Sequence, residues 1–180
     1  MAINRTGMIA YMDARIGATA NAKHRSRLEV VRAHMLAEIN EDVDALLATI
    51  SPNGVRYRTW GAPVSLSPDT HEAVRAFYLE RKALGQMHFQ YDIDRLVVTD
   101  GIVITDGIMS TLVSGAMAVH FGVADADPAA VYQATNRALI SWPFDDTGLL
   151  TGEESYTVPL GVVVVPPSDV PAEFAVAAGH

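Results

Sequence analysis

The chain has 180 residues, 49% of them apolar and 19% charged, which describes one folded domain rather than a disordered segment. Its formal net charge of −8, with no cluster of Lys and Arg, argues against nucleic acid as a partner, because phosphate binding needs basic residues gathered on one face. With no cysteine in the chain, disulfides, thiolate metal sites and cysteine nucleophiles are all excluded.

Residues 1–26 are small and polar with weak periodicity, and read as an N-terminal arm without the uninterrupted apolar run of a signal peptide. Leu28, Val31, Met35 and Ile39 recur at helical spacing and predict an amphipathic helix over 27–39. Asn40 is placed to cap a second helix over 41–50, which Ser51-Pro52-Asn53-Gly54 ends. "VRYRTW" alternates apolar and basic residues as a strand does, and a loop containing Gly61, Pro63 and Pro68 leads to a helix over 69–84 closed by Gly85. Strands follow at 87–98 and 102–113, then a loop rich in Gly, Ala and Asp over 115–129, a long strand over 130–144, a turn at "DDTG", and a strand over 148–157. Residues 159–180 are proline-rich and read as a tail over the surface. The longest apolar run, "VPLGVVVVPP", is far short of the roughly 20 residues of a membrane span, so no membrane partner and a cytoplasmic location are expected.

Helices followed by long antiparallel strands define an α+β fold, with the helices gathered on one face of a curved sheet that encloses a pocket. Three stretches, "AHMLAEINEDVDALLATISPNGVRYRTWG", "HEAVRAFY" and "RALISWPFDDTGLLTGEESYT", resemble the SnoaL-like branch of the NTF2-like superfamily over about residues 26–157. The resemblance implies a cone in which a curved antiparallel sheet and N-terminal helices close a central pocket, with the domain spanning 27–158. That superfamily includes ketosteroid isomerases, polyketide cyclases, scytalone dehydratase and limonene epoxide hydrolase, beside members that only bind or dimerise. Activity therefore has to be read from residues.

The stretch "RLVVTDGIVITDG" holds Thr-Asp-Gly twice. Asp100-Gly101 suits a two-residue hairpin loop. A register fixed by that loop sets Asp106 opposite Arg95, on one face with Phe89, Tyr91, Ile93, Val97, Ile104, Ile108 and Leu112. Being the more apolar face, it is expected to line the pocket. Two readings compete for the pair: mutual charge compensation, or a charged catalytic element in the pocket wall.

His34 and Glu38, spaced i, i+4, can touch on the first helix, where a carboxylate would orient an imidazole as a proton shuttle. The competing reading is a pair on the helix surface. Tyr57 is the candidate hydrogen-bond donor, and Trp60, Tyr78, Phe89, Tyr91, Ile108 and Trp142 the candidate lining of a pocket for a flat hydrophobic molecule. The acidic "EESY" at 153–156 reads as solvated. No metal-ligand spacing, nucleotide-binding glycine motif or nucleophile elbow occurs, so no metal and no cofactor are expected. The resulting expectation is cofactor-free acid–base chemistry (dehydration, isomerisation, cyclisation or hydrolysis) on a hydrophobic small molecule, in a homodimer. The rival is a non-catalytic binding or dimerisation module of the same fold.

Overall fold

The computed structural model describes residues 3–61 and 66–177. Pro63 and the end of the tail, 178–180, lie outside them. The first element corrects the reading of an arm. Met8, Ile9, Met12 and Ile16 share one side of a helix α1 (Gly7–Ala18), and Met8, Ile9 and Met12 are buried in the main core beside Leu28, Val31 and Met35. The long α2 (Ala22–Ile39) begins earlier than its apolar stripe suggests, because the Asn21 side chain caps it by accepting from the His24 amide. Asn40 ends α2 rather than starting the next helix. The short α3 (Val43–Leu47) is capped by Asp42, and Glu41 between the two takes a left-handed φ of 57°. The fourth helix, α4 (His71–Ala83), starts at Thr70, whose hydroxyl accepts from the Ala73 amide at 3.1 Å, and is followed by Gly85 at φ 68°.

Five strands form one open sheet in the order β1-β5-β4-β3-β2. They are β1 (Arg58–Trp60), β2 (Phe89–Val98), β3 (Ile102–Ser114), β4 (Val131–Pro143) and β5 (Glu154–Val164). Four of them run antiparallel, whereas β1 pairs with β5 in parallel, so the sheet is mixed rather than purely antiparallel. The stretch 115–129 begins with a one-turn helix α5 (Gly115–Ala118), and a last helix α6 (Ala172–Ala177) follows the sheet. Residues 159–164 belong to β5 rather than to a tail, and pair with β4 as far as Val164. No described helix is long and apolar enough to cross a membrane.

The hairpin keeps the expected register only near its loop. Arg95 pairs with Asp106, Leu96 with Thr105 and Val97 with Ile104, but Ile93 pairs with Gly107 across a bulge at Asp94. Both Asp100 and Gly101 keep negative φ, so the loop does not use the positive angles that Asp-Gly allows. The bulge inserts one residue and turns the strand over. Phe89, Tyr91 and Ile93 therefore face the core and the helices, while Arg95, Asp106 and Ile108 face outward, which corrects the single face expected for all of them. Gly107 makes the bulge possible: a Cβ there would overlap the carbonyl of Asp92. Thr105-Asp106-Gly107 is thus the outer half of a strand kink.

Candidate functional site

The inner face of the sheet and the helices α1, α2 and α4 enclose a cavity of about 160 Å³, close to the volume that accepts a single aromatic ring. Period-2 alternation aims Phe89 and Tyr91 of β2, Met109 of β3, Ala138, Ile140 and Trp142 of β4, and Ser155 and Thr157 of β5 into it. Met8, Met35, Phe77 and Tyr78 close the helical side, with Tyr57 and Thr59 at the β1 end. Four charged residues interrupt this apolar lining: Glu38 from α2, Arg58 from β1, Arg81 from α4, and Glu153 just before β5. The Arg58 Nη1 already donates to the Tyr57 and Ser67 carbonyls.

Both carboxyls are partly exposed and border the cavity. Desolvation dominates each. It pushes Glu38 up to about 7 and, aided by the neighbouring Glu38 charge, Glu153 up to about 8, against the opposing pull of Arg81. Neighbouring acids raised in this way give up their protons as a pair, and near neutrality such a pair offers a donor and an acceptor together. Arg81 stands over the Phe77 ring, its guanidinium carbon 5.4 Å from the centroid, and its buried Nε has no hydrogen-bond partner.

His34 lies behind this wall, fully buried and at the edge of the Trp142 and Tyr78 rings. Its Nδ1 is 2.7 Å from the Thr49 hydroxyl, which donates its own proton to the Leu46 carbonyl at 2.6 Å. The Thr49 oxygen must therefore accept from His34, so Nδ1 carries the hydrogen and Nε2 is a bare acceptor. The hydroxyls of Tyr57 and Tyr78 both stand 3.5 Å from Nε2. Burial pulls the imidazole down to about 3, which keeps it neutral. No described hydrogen bond or ion pair joins His34 to Glu38, so the expected imidazole–carboxylate couple is not formed: the helical turn sends Glu38 to the cavity and His34 to the core. His34 Nε2 accepts from one of the two tyrosine hydroxyls, which hydrogen-bond to each other and which desolvation holds firmly protonated.

Asp106 and Arg95 pair as expected but on the other side of the sheet. Asp106 is 6% exposed and accepts from Arg95 Nε at 2.7 Å and, through both oxygens, from Arg137 Nε and Nη2 at 2.7 Å. Arg137 also bonds Asp94 at the bulge. The Arg137 hydrogen bonds first, then Arg95, hold the Asp106 carboxyl below the usual carboxylate range. This network pins the bulge and is remote from the cavity.

Of the lining residues expected from sequence, Tyr57, Tyr78, Phe89, Tyr91 and Trp142 border the cavity, and two do not. Trp60 is 46% exposed and stacked on Tyr156 at 5.7 Å, because its place in β1 points outward; Ile108 shares the outer face with Asp106. Glu153 and Arg81 were missed. Alternation from Ser155 and Thr157 carried back to 153 points to the first, and the α4 stripe through Val74, Tyr78 and Arg81 points to the second.

Solved structures share this architecture. An NTF2-like protein from Burkholderia xenovorans LB400 superposes with a TM-score of 0.54 at 12% identity, over 75% of this chain and 91% of that one. TerC co-crystallised with polyporic acid gives 0.53 at 14%, over 74% and 92%. An LEH-like epoxide hydrolase from M. tuberculosis gives 0.52 at 14%, over 74% and 83%. The chain has the NTF2-like fold: helices closing a cone over an open, curved sheet. No protein-family model and no curated protein matches the sequence.

Proposed function

We propose that the cavity binds a hydrophobic small molecule and catalyses a cofactor-free proton transfer on it, with Glu38 and Glu153 as the acid–base pair. One observation carries this reading: two carboxyls border the same largely apolar cavity, where burial raises both against the opposing pull of Arg81. A protonated carboxyl donates to a developing oxyanion while its ionised neighbour removes or relays a proton. Dehydration, isomerisation, cyclisation and hydrolysis are all built from that exchange. His34 serves as a positioning residue through Tyr57 and Tyr78. Asp106 and Arg95 have no part in the chemistry, since the sheet separates them from the cavity. The TerC complex and the LEH-like epoxide hydrolase support the reading only in showing that this fold accommodates a ligand and is described for a hydrolase.

The test is incubation with a panel of enolisable ring ketones in D2O, followed by NMR for deuterium uptake, and of epoxides, followed by mass spectrometry for addition of water. At least one class is expected to react, with the rate falling about 10²–10⁴-fold in both Glu38→Gln and Glu153→Gln. Binding without turnover favours the purely ligand-binding module, and turnover that survives both substitutions contradicts the assignment of Glu38 and Glu153 as the acid–base pair.

We also propose that a second copy of the chain covers the outer sheet face. Leu139, Tyr156 and Val158 are exposed there, and beyond Tyr156 no described residue pairs with the β1 side of strand β5, where Leu160 and Val163 are exposed. Light scattering is expected to return twice the monomer mass of 19.4 kDa. The monomer mass at micromolar concentration contradicts it.

A further inference from the structure

We infer that the molecule this cavity selects carries an anionic oxygen, a carboxylate or an enolate, on a flat apolar ring, and that Arg81 is its anchor. The inference rests on the reading of the cavity as a hydrophobic small-molecule site.

The cavity holds more hydrogen-bond donors than the protein uses. The Arg81 Nε–H is buried and unpartnered, a costly state for a charged donor unless something else completes it. The guanidinium carbon stands over the Phe77 ring at 5.4 Å from its centroid, and the group borders the cavity with its Nε–H unused. The tyrosines do not add to the surplus: His34 Nε2 offers one lone pair to two hydroxyls, and Tyr57 and Tyr78 hydrogen-bond to each other, so both protons have acceptors within the protein.

Charge points the same way. Desolvation keeps Glu38 and Glu153 largely protonated below neutrality, where each is a further donor and neither cancels the cation. The cavity then presents two positive charges, of which Arg58 donates to the Tyr57 and Ser67 carbonyls and Arg81 keeps a buried N–H unpartnered. An ammonium ligand would stand beside Arg81 and leave its Nε unsatisfied. A neutral amide would supply an acceptor without the charge. An oxyanion supplies both, and a planar carboxylate or enolate matches the planar edge of a guanidinium. Phe89, Trp142 and Met35 supply the flat apolar contact for the ring. The same donors would stabilise negative charge developing on oxygen during proton transfer, so ground-state recognition and the chemistry would share one anchor.

The test uses benzoate, benzamide and benzylammonium, three ring-sized probes differing in charge, titrated into the full chain by NMR at about pH 6, where the raised carboxyls hold their protons. Benzoate is expected to bind about tenfold more tightly than benzamide, and benzylammonium more weakly than either. In Arg81→Met the benzoate preference should fall to about twofold or less while benzamide binding persists, and Arg81→Lys should keep part of the preference, since the charge remains without the planar edge. Melting temperatures of both variants report on folding. Benzamide or benzylammonium binding as well as benzoate, or a benzoate preference that survives Arg81→Met, overturns the inference and leaves the hydrophobic site standing. Failure of all three probes to shift any resonance of the cavity residues overturns the hydrophobic-site reading and the inference with it.

Discussion

Asp106 on the outer face of the sheet and Glu153 on the inner face are both withdrawn from bulk water, yet their proton affinities move in opposite directions. Asp106 receives hydrogen bonds from two arginines, which favour its charged form and depress its titration. Glu153 faces apolar walls, a second carboxyl and a cation held at a distance, so its neutral form wins. Burial sets the penalty in each case, and the partners decide the sign. Asp106 holds a kinked strand in shape; Glu153 keeps a proton where a ligand can meet it.

The strand kink gives the first way to break this contrast. Gly107→Ala would drive a Cβ into the Asp92 carbonyl, and neither backbone can yield without dismantling the bulge. Unfolding in denaturant is expected to show a loss of about 3 kcal/mol. A loss within experimental error would show that the bulge does not need the close approach.

The two faces should also answer the same chemical change with opposite signs. Asp106→Asn removes the anion that Arg95 and Arg137 share and is expected to cost about 1.5–3 kcal/mol above pH 5 or so. Glu153→Gln removes a carboxyl whose folded-state titration is raised. A raised acid binds more protons folded than unfolded, so the stability it permits is full below its unfolded value near 4.5 and declines as pH rises towards about 8. The amide escapes that decline. Glu153→Gln is expected to be neutral near pH 5 and more stable than the wild type near pH 8.5, by on the order of 1–2 kcal/mol after allowance for water in the cavity. Parallel shifts for the two variants across this range would erase the distinction between the faces.

Much of this contrast was legible in the residues, and the rest failed at identifiable places. The order of helices and strands and the Arg95–Asp106 pairing followed from periodicity and loop length. The faces did not, because one bulge residue reverses every side chain beyond it. Gly107 inside an apolar strand was the available sign, since glycine there marks a bulge or a close backbone approach. Residues 7–18 gave weak periodicity because only Met8, Ile9 and Met12 are fully buried, Tyr11 and Ile16 are half-buried, and the remaining positions are small or polar. Tyr57, Tyr78 and Trp142 could be placed near a pocket from their type alone. Glu153 could not, since two adjacent acids look solvated until the strand that follows assigns one to each face: Glu154 meets Arg56 and Trp60 outside while Glu153 turns in. His34 and Glu38 share a helix spacing that permits contact, but Thr49 offers the imidazole a better partner on the core side.

The most direct test of the account is a carbon-13 NMR titration of the glutamate carboxyls, with Glu38→Gln and Glu153→Gln used to assign the two resonances. Both are expected to titrate well above the free value of about 4.3, as a coupled pair between roughly pH 6 and 9, and removing either one is expected to lower the other. Glutamates at 38 and 153 that both titrate near the free value, independently of one another, would contradict it.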